Sequence, residues 1–308
     1  MSAEAPLWAP CSDRSRERAD PLAGTGSHGD TWFLVESSGG WGRHAFLDPP
    51  ADVELGRALV RRIEGAGTRP LAIRRVGRRP RQTSTRWAFV DSRAGQEAIV
   101  WGEVDDPRDL LDVPLDGSAG TPSERPVFAV CTHARHDQCC AVRGRPVAAR
   151  LAEHYPDETW ECSHLGGDRF AGTMVVLPHG LYYGRVDDAD ALDVATAHGR
   201  GEVLPHLLRG RSSFSHAVQA AQHAARSRFG DNRITSYAPL REERSGRTWF
   251  VELATPDGSL DVTLEEAGSP PLLSTCAATR AIAVPQLVVV QVGPHRPGDG
   301  VRRAAPEG

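Results

Sequence analysis

One order of elements occurs twice in this chain, and it restricts the possible folds more than any other feature. Trp32, Phe33, Leu34 and Val35 read as a buried strand, and residues 52–65 carry Val53, Leu55, Leu59, Val60 and Ile63 at helical spacing before the stop signals Gly65 and Gly67. A strand over 71–76 follows, then a hairpin, 86–91 with 98–104, turned by Ser92-Arg93-Ala94-Gly95. After the turn-rich stretch VPLDGSAGTPSERP the order returns: strand 127–131, helix 141–154, strand 159–163, and strands 174–177 and 182–186 paired across Pro178-His179-Gly180. A further helix over 188–198 is opened by acidic residues.

A strand-helix-strand followed by a hairpin is the pattern of a thioredoxin-like core, because short, right-handed connections allow few other foldings. The expected fold class is α/β: two thioredoxin-like units in tandem, 28–112 without cysteines and 127–209, with a small C-terminal α+β portion over 210–292. In that last part, 216–228 reads as a helix with Ala217, Val218, Ala221 and Ala224 on one face, followed by strands at 248–253, 259–264 and 281–292. Polar, aperiodic, Gly- and Pro-rich sequence predicts a disordered lead-in over 1–27 and a disordered tail over 293–308.

Cysteine usage narrows the chemistry. Four of the six cysteines, Cys131, Cys139, Cys140 and Cys162, fall between 131 and 162, while Cys11 and Cys276 lie far away. The N-terminus has acids and arginines where a signal peptide needs an apolar stretch, and no apolar run is long enough to cross a bilayer. The expected compartment is the cytoplasm, where a disulfide framework is not expected and clustered cysteines read as metal or redox chemistry. All 36 basic residues are arginine, which excludes Schiff-base, Walker-type and Ser-x-x-Lys chemistry.

Cys131 ends a predicted strand and Cys139 and Cys140 open a predicted helix; Cys162 and His164 lie at the neighbouring strand end, followed by Gly166, Gly167 and Asp168. Loops at the carboxyl ends of strands are where open α/β sheets bind ligands, and paired glycines let backbone approach one closely. Cys162 alternates with Trp160 in a strand and reads as a packing residue, as does Cys276. The residues alone leave three chemistries open: an iron–sulfur site, a thiol-based oxidoreductase using Cys131, Cys139 or Cys140, and a zinc-stabilised interaction module. Tight Cys-x-x-Cys knuckles are missing, and Cys131-Thr132-His133 with Cys162-Ser163-His164 matches a Rieske pattern only partly.

The segments CTHARHDQCCAVRGRPVAARL and WECSHLGGDRFAGTMVVLPHGLYYGRV, and more loosely RGRSSFSHAVQAAQ, resemble the sucrase/ferredoxin-like family, a branch of the thioredoxin-like 2Fe-2S ferredoxins, over roughly residues 28 to 290. The resemblance implies a 2Fe-2S cluster, held by two cysteines separated by eight residues, here Cys131 and Cys140, and by two groups separated by three, here His164 and Asp168. Gly166 and Gly167 would line the cluster. Bis-histidinyl members read His-Leu-Gly-Gly-His, so Asp168 departs from the pattern, and Cys139 and Cys162 are the alternate fourth ligands. The implied role is one-electron transfer with a redox partner protein rather than turnover by a stand-alone enzyme. Arg135, Arg143, Arg145 and Arg169 are placed to offset cluster charge and to dock an acidic donor. The seven arginines from Arg69 to Arg86 come without an aromatic platform in the sequence, so they read as one wet face and nucleic acid is not an expected partner.

Overall fold

The computed structural model describes residues 10–77 and 83–295. A short helix, α1 (Cys11–Glu17), precedes a first unit built of β1 (Thr31–Glu36), α2 (Val53–Gly65), β2 (Thr68–Arg74), β3 (Thr85–Asp91) and β4 (Ala98–Val104). A two-residue strand, β5 (Thr121–Pro122), pairs with β4. The second unit repeats the plan with β6 (Val127–Cys131), α3 (Gln138–His154), β7 (Thr159–Cys162), β8 (Met174–Leu177), β9 (Leu181–Tyr183) and α4 (Ala191–Gly199). β10 (Leu208–Arg211) then lies antiparallel to β9.

Both units have the same pairing. β1 is parallel to β2 and antiparallel to β3, which pairs with β4; β6 is parallel to β7 and antiparallel to β8, which pairs with β9. The duplication read from element order is therefore a duplication of topology. The edge strands β2 and β7 then join antiparallel, Ile73 opposite Cys162 and Arg74 opposite Glu161, so the halves merge into one ten-stranded sheet. At that seam the Arg74 Nε donates to Glu161 Oε2 at 2.6 Å, and both side chains are buried.

Strand periodicity explains why the sheet is covered on both faces. Phe33 and Val35 pack with Leu59 and Ile63 of α2, whereas Trp32 and Leu34 point to the opposite face and join Ile73, Ala129, Trp160, Cys131 and Cys162 in one core that crosses the seam. In the second unit Phe128 and Val130 pack against Val147, Ala148 and Leu151 of α3. Asp52 and Asp137 cap α2 and α3 by accepting backbone N–H groups of their first turns.

The C-terminal portion is α5 (His216–Phe229) packed on an antiparallel sheet of β11 (Pro239–Ser245), β12 (Thr248–Thr255), β13 (Gly258–Gly268) and β14 (Pro285–Pro294). The helix buries Ala217, Val218, Ala221 and Ala225 against Val251, Leu253, Val262 and Leu264; Ala224, expected on that face, is only half-buried. No helix among the described residues is long and apolar enough to cross a membrane.

Two expectations need correction. Residues 10–27 are not a disordered lead-in: α1 buries Cys11, Ser12 and Ser15, and Gly26 exchanges hydrogen bonds with Gln219 of α5. Residues 1–9, and most of the tail over 293–308, lie outside the described residues; Gly293 and Pro294 belong to β14. The arginines of 69–86 do not form a wet face either. Arg69 lies over Trp32, Arg74 over Trp41, Arg75 over Trp160 and Arg86 over Trp101, at 3.7–4.8 Å from the rings. The guanidinium planes cover indoles that would otherwise meet water, a use lysine serves poorly. Arg78, Arg79 and Arg81 lie outside the described residues.

Candidate metal centre

Parallel pairing of β6 and β7 puts Cys131 directly beside Cys162 at the carboxyl edge of the sheet. The chain leaves β6 at Cys131, turns through Thr132–Asp137 and enters α3, whose third residue is Cys140. It leaves β7 at Cys162 and passes through His164, Leu165, Gly166 and Gly167 to a 3-10 turn that starts at Asp168. The four residues implied as ligands thereby meet. His164 Nδ1 lies 4.0 Å from Cys131 Sγ, 3.8 Å from Cys140 Sγ and 3.2 Å from Asp168 Oδ1; Cys140 Sγ lies 3.5 Å from the same carboxylate oxygen.

The alternates do not join them. Cys162 is fully buried among core side chains, and burial pushes its thiol well up from the usual range. Cys139 faces away from Cys140, because successive helical residues point about 100° apart, and its thiol meets Cys11 and Cys276 instead.

Two histidines unassigned by the sequence complete the surroundings. His133 Nδ1 accepts from the His164 N–H at 3.2 Å, so its Nε2 carries the proton and donates to the Gly42 carbonyl at 2.7 Å. Burial lowers its pKa, in keeping with that neutral tautomer. His136 stacks on His164, with ring centroids 3.7 Å apart and planes 16° apart. Both come from the CTHARHD segment, where His133 entered only as part of the partial Rieske match and His136 not at all.

Electrostatics in the centre favour a cation. The Cys131 thiol is held well below its usual range by its contacts with Cys140 and His164 in spite of burial, and Cys140 is pushed up because it keeps the proton of the pair. Burial opposes charge on His164, but the Cys131 sulfur and the Asp168 carboxylate outweigh it and raise its pKa. Asp168 is 6% exposed and pushed up by that burial. Cys131, Cys140 and His164 have donor atoms within 4.8 Å of one another, and so do His136, His164 and Asp168, so two groups of soft and borderline donors that suit iron or zinc meet at His164.

Behind the donors the loop is fixed by arginine. Gly166 and Gly167 sit at φ of 91° and 82°, conformations that favour glycine, and a Cβ on Gly167 would lie 2.5 Å from the Arg209 guanidinium. Arg209, 2% exposed, donates to the Gly166 carbonyl at 2.8 Å and to the Thr25 carbonyl and hydroxyl, and burial brings its pKa down to about 10. Arg69 and Ser27 both donate to the Leu165 carbonyl. The glycines thus serve this close packing from behind. Arg209→Met should leave the Gly166 and Thr25 carbonyls without the Arg209 donors and cost about 3 kcal/mol or more. Urea denaturation with an unchanged m-value would measure it, and a loss below about 1 kcal/mol would show the loop does not depend on Arg209.

A family model described as Sucrase/ferredoxin-like matches residues 22–210. Among solved structures, a thioredoxin-like 2Fe-2S ferredoxin from Aquifex aeolicus aligns at 22% identity, over 29% of this chain and 94% of that one, with a TM-score of 0.26. None of the curated proteins compared matches the chain. The matched segment runs from the end of the N-terminal arm through both thioredoxin-like units to β10 and takes in all four converging donors, so the chain belongs to the sucrase/ferredoxin-like family.

Proposed function

We propose that this protein binds a 2Fe-2S cluster through Cys131, Cys140, His164 and Asp168 and serves in one-electron transfer. The observation that carries the reading is the convergence of these four donors, from two loops at adjacent strand ends, to within 3.2–4.0 Å for each recorded contact. The donor set fits the group: two thiolates suit ferric iron, and an imidazole with a carboxylate supplies the other side at lower charge than four thiolates would share. When bound, such a cluster accepts and gives up single electrons.

The chain's own residues do the rest. Cys131, Cys140 and Asp168 are buried, which keeps water from the donor atoms, while the His164 side chain retains 20% exposure. His164 is thus the donor through which a partner protein can approach, with the His136 ring stacked beside it. Arg135, in the loop before α3, and Arg145, midway along it, are both exposed and offer permanent positive charge to an acidic redox partner.

Anaerobic reconstitution with iron and sulfide should give a red-brown protein, with visible absorption bleached by dithionite and an EPR signal in the reduced state. A colourless protein that takes up zinc at these residues instead would overturn the reading. Asp168→His should keep the cluster and raise its potential by on the order of 100 mV, because a neutral ligand replaces an anionic one. Spectroelectrochemical titration measures this, and an unchanged spectrum and potential would remove Asp168 from the ligand set.

A further inference from the structure

A second group of thiols lies beside the first. Cys139 Sγ is 3.0 Å from Cys276 Sγ and 3.6 Å from Cys11 Sγ, and Cys276 lies 3.5 Å from Cys11. Asp137 Oδ2 stands 4.0 Å from the Cys11 sulfur, and the four donor atoms all fall within 4.8 Å of one another. We propose that Cys11, Cys139, Cys276 and Asp137 form a structural zinc site that clamps the N-terminal arm and the C-terminal portion to the first turn of α3.

The dimensions suit a single tetrahedral ion. With Zn–S near 2.3 Å and Zn–O near 2.0–2.2 Å, tetrahedral geometry requires sulfur–sulfur edges of about 3.8 Å and sulfur–oxygen edges of about 3.5 Å. Of the three observed sulfur edges, those of 3.5 and 3.6 Å need to open by two or three tenths of an ångström and the Cys139–Cys276 edge of 3.0 Å by about 0.8 Å, within reach of a side-chain rotation at the half-buried Cys276. Packing alone does not account for the group. The cluster contains no large side chain, its remaining apolar member being Ala171, and a buried carboxylate faces the sulfurs. Three thiolates with a carboxylate give four ligands of the kinds Zn2+ takes, enough for a closed tetrahedral site.

Outer contacts orient the donors. Asp137 accepts from the backbone N–H of Cys139 at 2.9 Å and of Cys276 at 2.7 Å, and the Ser12 hydroxyl donates to Cys139 Sγ at 3.3 Å. The three cysteines come from α1, from α3 and from the segment between β13 and β14, separated by 128 and 137 residues along the chain. An ion that closes such long loops restrains the unfolded chain strongly. Cys139 also precedes Cys140, so the same ion would hold the turn that presents a donor to the first centre.

This proposal does not rest on the cluster reading, and metal analysis separates the two. The full-length protein, purified without chelator and analysed by inductively coupled plasma mass spectrometry, should carry about one zinc per chain that survives in the Cys131→Ser/Cys140→Ser double variant. Cys276→Ser should weaken zinc binding more than about 100-fold, beyond the effect of losing an outer contact, and Cys276→His should restore it if the variant is folded. Cobalt replacing the zinc should show tetrahedral d–d bands and thiolate charge-transfer absorption that fall in Cys276→Ser. The proposal fails if zinc is absent from the wild type, if it leaves with Cys131 and Cys140, or if mass spectrometry finds a Cys139–Cys276 disulfide in its place.

Discussion

Replacing Cys140 by serine is expected to abolish the chromophore of the proposed iron–sulfur cluster and reduce iron bound on reconstitution to background while leaving the fold intact. Cys140 Sγ is within 3.8 Å of His164 Nδ1 and 3.5 Å of Asp168 Oδ1, so it touches both members of the second donor pair. No other thiol can take its place: Cys139 is held among Cys11 and Cys276, and Cys162 is locked in the core. Serine keeps the shape of the side chain, and the change should cost only about 1 kcal/mol in stability. The measurement is iron and sulfide content with the visible spectrum, set against Cys162→Ser, which should retain the wild-type chromophore. Wild-type retention in Cys140→Ser, or loss in Cys162→Ser, would mean that the donors are arranged differently.

The duplicated fold was legible because both copies carry the same local signals: a buried strand, an amphipathic or capped helix, a second strand and a hairpin at similar intervals. Cys131 and Cys140 were legible because both signals lie in one strand-to-helix connection. His164 and Asp168 required a second connection to fall alongside the first, which the parallel pairing of β6 and β7 provides. The second thiol group was hidden for the same reason taken further. Cys11 lies in a segment whose composition reads as disorder, yet it folds by packing on α3 and the Asp168 turn rather than by its own propensity. Cys276 sits in a loop, and no local pattern links either residue to Cys139. The arginine run misled because cation–π contacts pair residues far apart, as Arg75 and Trp160 are, and the wet face inferred from alternation is largely a lid over tryptophans. Buried Arg209 opens the loosely matching segment RGRSSFSHAVQAAQ, but nothing local shows that it braces the glycine pair from 43 residues away.

Gly144→Ala should destabilise the protein and lower the iron it takes up on reconstitution, although alanine is the better helix former. On an exposed helix surface the exchange gains about 1 kcal/mol. Here α3 lies against the end of β6 so closely that a Cβ at 144 would stand 2.1 Å from the Cys131 carbonyl oxygen and 3.5 Å from Thr132 Cγ2. That carbonyl cannot retreat, because the Cys131 N–H donates to the Thr173 carbonyl at 2.9 Å and the Thr132 N–H to the Cys162 carbonyl at 3.2 Å. The helix must therefore move outward by about an ångström, dragging Val147, Ala148 and Leu151 from the core and separating Cys140 from Cys131. Overpacking of this kind costs about 1–3 kcal/mol, enough to lower the melting temperature by roughly 2–5 °C in a chain of this size. Thermal denaturation and iron content measured on one preparation would show both effects falling together. Alanine at 144 with unchanged or higher stability and full iron content would show that the helix does not bear on Cys131, and that the spacing of the two thiols is set elsewhere.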